Sequence, residues 1–287
     1  MSHFTVLVVT ETADQLEAAL APFQENNMGD CPEEFLRFFS TQEEVEEGYK
    51  DVDKNEYPTL AAYAEDYYGY EVDKETGEYG YWENPNKKWD WWVLGGRWSG
   101  KLLLKPGAEG EIGDSGFFGP EAKPGYVDQA KKKDIDFDGM MEGAAIDARE
   151  QFAKVMKALK GITEKPKTWS QIRSESETIE KAREVYHSQP AIVALREAKL
   201  RSYANCEIEH YHLHEDDSED KYVNDCRCKA VQTFAVLIDG KWYERGEMGW
   251  FGVVSDEKLR YDWSAQFTDI IDSISEDAIL SIVDCHI

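Results

Sequence analysis

Apolar positions along this chain fall into contiguous runs and spaced stripes, and the two predict different elements. Phe4-Thr5-Val6-Leu7-Val8-Val9 near one end and Ile279 to Cys285 near the other are short, mostly apolar runs, the pattern of buried strands. Gln232 to Ile238 is a third such run. It is followed by Asp239-Gly240, the dipeptide favoured in tight hairpin turns, and by a returning strand Lys241-Trp242-Tyr243-Glu244. Trp250 to Val254 is a further strand candidate.

Spaced stripes predict the helices. Met140, Met141, Ala144, Ala145, Ala148, Phe152, Val155, Met156 and Leu159 recur at three- and four-residue steps, with Gly161 placed to end the helix. Leu16, Ala19, Leu20 and Phe23 predict a short helix capped at Thr10 or Thr12, with Pro22 disturbing its end. Trp169 to Tyr186 reads as a more polar helix. Pro190 precedes a further helix, Ala191 to Tyr203, and Trp263, Phe267, Ile270, Ile271 and Ile274 form the last stripe. Between Asn26 and Tyr81 no period dominates, and short helical candidates stand at 33–39, 42–49 and 60–67.

These elements predict an α+β fold. Both chain ends would be neighbouring strands of a mixed, mostly antiparallel sheet covered by a helical layer, and a ferredoxin-like core is one outline that fits. Residues 1–25, 82–105 and 230–287 are assigned to the sheet core, and 26–81 to an acidic, tyrosine-rich insertion. Residues 106–133 are assigned to a Gly/Pro loop with a basic tip at Lys131 to Lys133, and 134–229 to the helical layer.

The segment Trp89-Asp90-Trp91-Trp92-Val93-Leu94-Gly95-Gly96-Arg97-Trp98-Ser99-Gly100 holds four tryptophans in ten residues. It reads as a strand, half buried at its start and fully buried at its end, then a glycine turn and a return over Lys101 to Leu104, together a bent strand pair around a nucleus of indoles. Arg97 either stacks on those indoles or offers its fork to an anion.

Charge narrows the function. The 58 acidic and 32 basic side chains give 287 residues a net charge of −26, while 41% hydrophobic content is too high for a disordered chain. A field of that sign disfavours direct nucleic-acid and membrane binding and favours basic partner surfaces. No apolar run reaches membrane-spanning length, and Met1 to Thr10 carries no basic leader, so a cytoplasmic protein is expected. Cys31, Cys206, Cys226, Cys228 and Cys285 lack a framework spacing and are expected to be reduced thiols.

Two side-chain sets carry candidate chemistry. Glu43, Glu44, Glu46, Glu47, Asp51, Asp53, Glu65 and Asp66 alternate with tyrosines in the insertion and form a candidate binding surface, with Arg97 as a further binding residue. Cys206, His210, His212, His214, Cys226 and Cys228 form a candidate zinc set, on the reading that alternate histidines of an extended segment share one face. The Cys-x-Cys spacing is not that of a standard finger, so a structural zinc, a catalytic metal and no metal all stay open.

The stretches Met1-Ser2-His3-Phe4-Thr5-Val6-Leu7-Val8, Lys88 to Gly100, Asp239 to Trp250 and Val283-Asp284-Cys285-His286-Ile287 resemble a family of uncharacterised proteins of bacteriophages and their hosts. The resemblance implies a phage or prophage origin and brings no activity to any residue. A homo-oligomeric phage protein that mimics DNA and blocks a host defence nuclease, Gabija-type complexes included, is the function expected first. A metal-dependent hydrolase at the Cys/His segment, an anion-processing site around Arg97, His187 and His286, and a virion assembly protein are the alternatives.

Overall fold

The computed structural model describes residues 2–116, 119–202 and 206–287. Its centre is a six-stranded sheet of β1 (His3–Thr10), β2 (Trp91–Leu94), β3 (Gln129–Lys131), β4 (Ala235–Ile238), β5 (Lys241–Glu244) and β6 (Ile279–His286). The order is β5-β4-β1-β6-β2, and β3 lies along the other half of the β6 edge that β2 occupies. β1 and β6 run antiparallel from His3 opposite His286 to Thr10 opposite Ile279. The two ends of the chain are thus neighbours in a mixed, mostly antiparallel sheet of an α+β fold.

Both faces of β1 are buried, which explains its mostly apolar run. Phe4, Val6 and Val8 face Leu16 and Leu20 of the short helix Leu16–Leu20, together with Leu237, Val283 and Cys285. Leu7 turns the other way, with Val236, Leu280 and Ile282, towards Met140 of helix Phe137–Ala158 and Trp263 and Phe267 of helix Arg260–Ser273. The β4–β5 hairpin turns at Asp239 and Gly240, whose φ values of 50° and 69° are the left-handed pair that an Asp-Gly turn supplies. A ferredoxin-like core would place a strand between β1 and β4, but here the two pair directly and in parallel.

Several expectations give way to local chemistry. The tryptophan stretch forms no strand pair with the segment after it: β2 pairs β6, whereas Leu102–Leu103 pairs Tyr126–Val127. Nor do its indoles share one nucleus. Trp89 and Trp92 join the cluster around Phe4, Trp98 packs beside Leu102, and Trp91 is exposed.

Residues 33–39 divide into a single turn, Glu33–Phe35, and a strand, Arg37–Ser40. The polar helix is two, Trp169–Glu175 and Ile179–Ser188, because Thr178 caps the second by accepting the Lys181 amide at 3.1 Å. The helix after Pro190 is Pro190–Glu197; Tyr203 lies outside the described residues. Residues 250–253 are a turn between two short paired strands, Glu247–Met248 and Val254–Ser255, so only Val254 of the candidate is in a strand. The 106–133 loop contributes β3 to the sheet, and its basic tip is engaged: Lys132 pairs with Glu276 and Lys133 with Asp277, at 3.0 and 2.7 Å.

Candidate functional site

The insertion has its own architecture. Strand Tyr79–Glu83 lies between Arg37–Ser40 and Glu71–Val72, and helix Gln42–Tyr49 packs with the helical segment 60–68 around buried Val45, Tyr63 and Ala64. Its base is closed by Asn84, fully buried, whose amide donates to the Pro22 and Gln24 carbonyls at 2.9 and 3.0 Å. Segment 60–68 ends in a π-helical turn, Tyr63–Tyr68, a rare geometry that brings Tyr63, Tyr67 and Tyr68 into contact. Ring stacking continues outward from Tyr68 to Tyr70, then Tyr81 and Phe39, with centroids 4.9, 5.8 and 5.7 Å apart.

Carboxylates surround this aromatic frame. Residues 26–81 carry 16 acidic and four basic side chains, so a fifth of the chain supplies nearly half of its net charge. Glu43, Glu44, Glu46, Glu47, Asp51, Asp53, Glu65 and Asp66 are all exposed. Among the described residues, Glu47 alone of the eight has a cationic partner, Lys50. Lys54 sits over the Tyr49 ring, 3.2 Å from its centroid, and so shows within the module how a cation is received there.

The Cys/His segment is built otherwise than an extended strand. Residues Glu207–His210 are helical, and His212 has a left-handed φ of 52°, so the three histidines do not alternate on one face. His210 packs edge-on to Tyr211 and Tyr222. Both ring nitrogens of His212 meet carboxylates, Nδ1 with Glu215 at 2.9 Å and Nε2 with Asp225 at 2.8 Å.

Lys221 pairs with Glu215 and Arg260 with Asp225, which completes a relay of polar contacts between helices Ser218–Val231 and Arg260–Ser273. Lys221 first, then His212, hold the Glu215 carboxyl down to about 2. His214 lies near Glu215, and Cys206 precedes the short helix. Cys226 and Cys228 stand two residues apart on a helix and so point to different sides. Among the described residues, no group of three or more His, Cys, Asp and Glu side chains is arranged to hold a metal ion.

At the outer end of the sheet the β1–β6 face changes character. Leu7, Leu280 and Ile282 lie under the helices, but His3, Thr5, Asp284 and His286 continue the same face beyond them. Asp284 and His286 are nevertheless buried. His3 Nδ1 lies 2.8 Å from Asp284 Oδ1, and His286 Nδ1 lies 2.6 Å from Asp90 Oδ1. Trp91 stacks on His286, and the two imidazoles meet edge-on at 4.9 Å.

The Gly-Gly turn fits between two buried carboxylates. Asp284 Oδ2 accepts the Arg97 amide at 3.0 Å, and a Cβ on Gly96 would fall 2.3 Å from Asp284 Cβ. Asp128, fully buried, accepts Gly100 N at 2.6 Å, Gly113 N at 2.9 Å and Ser99 Oγ at 3.0 Å. A Cβ on Gly95 would fall 2.5 Å from its Oδ2. Gly95 and Gly96 also hold φ values of 81° and 55°, so both conformation and space require glycine.

No protein-family model, curated protein or solved structure matches the chain.

Of the sequence-derived candidates, the eight acids share one module, whereas Arg97 is exposed at the sheet end and the cysteines and histidines are dispersed. His187 stands on the helical side, 2.9 Å from Arg196, rather than with His286. His3, Asp90, Asp128 and Asp284 escaped the sequence reading. The available signal was an acid within an apolar run, as in Ile282-Val283-Asp284-Cys285, since an ionisable group there needs partners supplied by the fold.

Proposed function

We propose that this chain is a binding protein that presents the acidic module to a basic macromolecular surface, in the manner of a DNA mimic. The observation that carries this reading is the exposure of eight carboxylates, seven of them without a cationic partner among the described residues, on a frame of stacked tyrosines. Like charges at three- and four-residue spacing on helix Gln42–Tyr49 weaken the helix rather than support it, which suits a surface completed by a partner. Exposed Tyr67 and Tyr81 add rigid contact area on which arginines can stack.

The partner class is a protein with a DNA-binding surface. A host defence nuclease, Gabija-type complexes included, is the member of that class favoured by the resemblance to phage proteins, and the host cytoplasm is the compartment that goes with it. No helix among the described residues is long and apolar enough to cross a membrane. Self-association belongs to the same proposal, with exposed Val253, Leu259 and Tyr261 as the apolar surface available for it.

Titration of the purified chain into such a nuclease, with duplex DNA cleavage as the readout, tests the proposal. Inhibition should be relieved by added DNA and should weaken steeply between about 50 and 500 mM salt. Inhibition indifferent to salt and to DNA, or none with any DNA-binding nuclease, would overturn it.

A further inference from the structure

The outer end of the sheet brings together a second set of candidate ligands, His3 and His286. We propose that His3 and His286 form a two-histidine chelate for a divalent transition-metal ion, with the remaining coordination positions open to water or a small anionic ligand.

The placement follows from strand register. Ser2 and Ile287 exchange both backbone hydrogen bonds, at 2.9 and 3.0 Å, so the next pair, His3 and His286, is a non-hydrogen-bonded antiparallel pair. In such pairs the side chains stand closest, on Cα atoms about 4.5 Å apart, and they share one face. Two imidazoles there can reach a common ion, and their centroids already lie 4.9 Å apart.

Orientation follows from the carboxylates. Asp284 and Asp90 engage Nδ1 of His3 and His286 at 2.8 and 2.6 Å. A ring that gives its Nδ1 proton to a carboxylate meets a metal through Nε2, the arrangement in which carboxylates orient metal-bound histidines. Neither Nε2 makes a hydrogen bond among the described residues, and neither is an enclosed, partnerless atom.

Asp284 is itself fixed by the Arg97 amide, and the His286 ring by Trp91, so the pair is held before any ion arrives. Charge agrees: the carboxylates behind the two imidazoles, buried Asp284 and half-buried Asp90, favour a dication. Nitrogen donors select zinc, nickel or copper over magnesium or calcium. Neither histidine belongs to the Cys/His segment, and two protein ligands suit a loosely held ion with an open position.

Calorimetric titration of the full chain with Zn(II) at pH 7.5 tests the assignment. One site is expected. His3→Gln and His286→Gln should each weaken it at least tenfold, and Asp90→Asn and Asp284→Asn by about ten- to a hundredfold with both imidazoles kept. His212→Gln should leave it unchanged. No one-to-one binding, a site that survives both histidine substitutions, or one lost with His212→Gln would overturn the assignment.

Ni(II) quenching of Trp91 emission gives a readout that does not depend on how the variants fold. In the unaltered chain the quenching should saturate at one equivalent, and Trp91→Phe should remove it. Absence of saturable quenching in the unaltered chain would overturn the assignment.

Discussion

Asp128 and Glu44 are carboxylates of the same chain, put to opposite uses. Asp128 is fully buried and accepts three protein donors, so that a turn of Gly, Arg, Trp and Ser folds around it. Glu44 and its neighbours stand in water, mostly without a cationic partner, on a module whose small core is tyrosine, valine and alanine. The acids that fix a turn are enclosed, and those of the module are exposed. Net charge alone does not distinguish the two uses.

The largest effect is expected at the enclosed end. Asp128→Ala leaves the Gly100 and Gly113 amides and the Ser99 hydroxyl without an acceptor, and should lower unfolding free energy by about 3–5 kcal/mol in urea titrations. A loss below about 1 kcal/mol would mean that the turn holds itself. Gly96→Ala comes next: a left-handed φ of 55° and a Cβ 2.3 Å from Asp284 Cβ predict a loss of about 2 kcal/mol or more, read in the same assay.

Much of the sheet was legible in the chain, and the reason is burial. β1 and β6 are covered on both faces over most of their length, so both are mostly apolar, and Asp239-Gly240 dictates its own turn. The stripe of helix Phe137–Ala158 is equally direct, since Met140, Ala145, Ala148, Phe152 and Val155 face the interior. Strand Arg37–Ser40 was hidden because it is mostly exposed and carries no clean alternation.

The histidines of residues 210–214 imitate a strand pattern, but hydrogen bonds from the His210 and Tyr211 amides to the Cys206 and Glu207 carbonyls wind the segment into a helical turn. The His3, Asp90, Asp284 and His286 set was out of reach for another reason. Its members lie up to 283 positions apart, and only the register of three strands brings them together. The acidic platform, by contrast, is local in sequence, and its members could be named before the fold was known.

A smaller effect separates the relay from both regions. Glu215 titrates near 2 in the folded chain, below the ordinary carboxylate range, so the unfolded chain takes up the proton first as pH falls. Its stabilisation is present above about pH 4.5 and is lost towards pH 2. Glu215→Gln should therefore be less stable at pH 7, by about 1 kcal/mol or less for so solvent-accessible a pair, and the difference should close on acidification. A difference independent of pH would remove the ionic account of the relay.

The smallest change in stability, and the most decisive experiment, concerns Glu43, Glu44, Glu46 and Glu47 changed together to Gln. Relief of like-charge pairs and loss of favourable charge at the helix start oppose one another, so stability should stay within about 1 kcal/mol of the unaltered chain. Affinity for the proposed DNA-binding partner, measured on that same sample at low salt, should fall by about tenfold or more. An unchanged affinity in a folded variant would contradict the claim that this module is the docking surface.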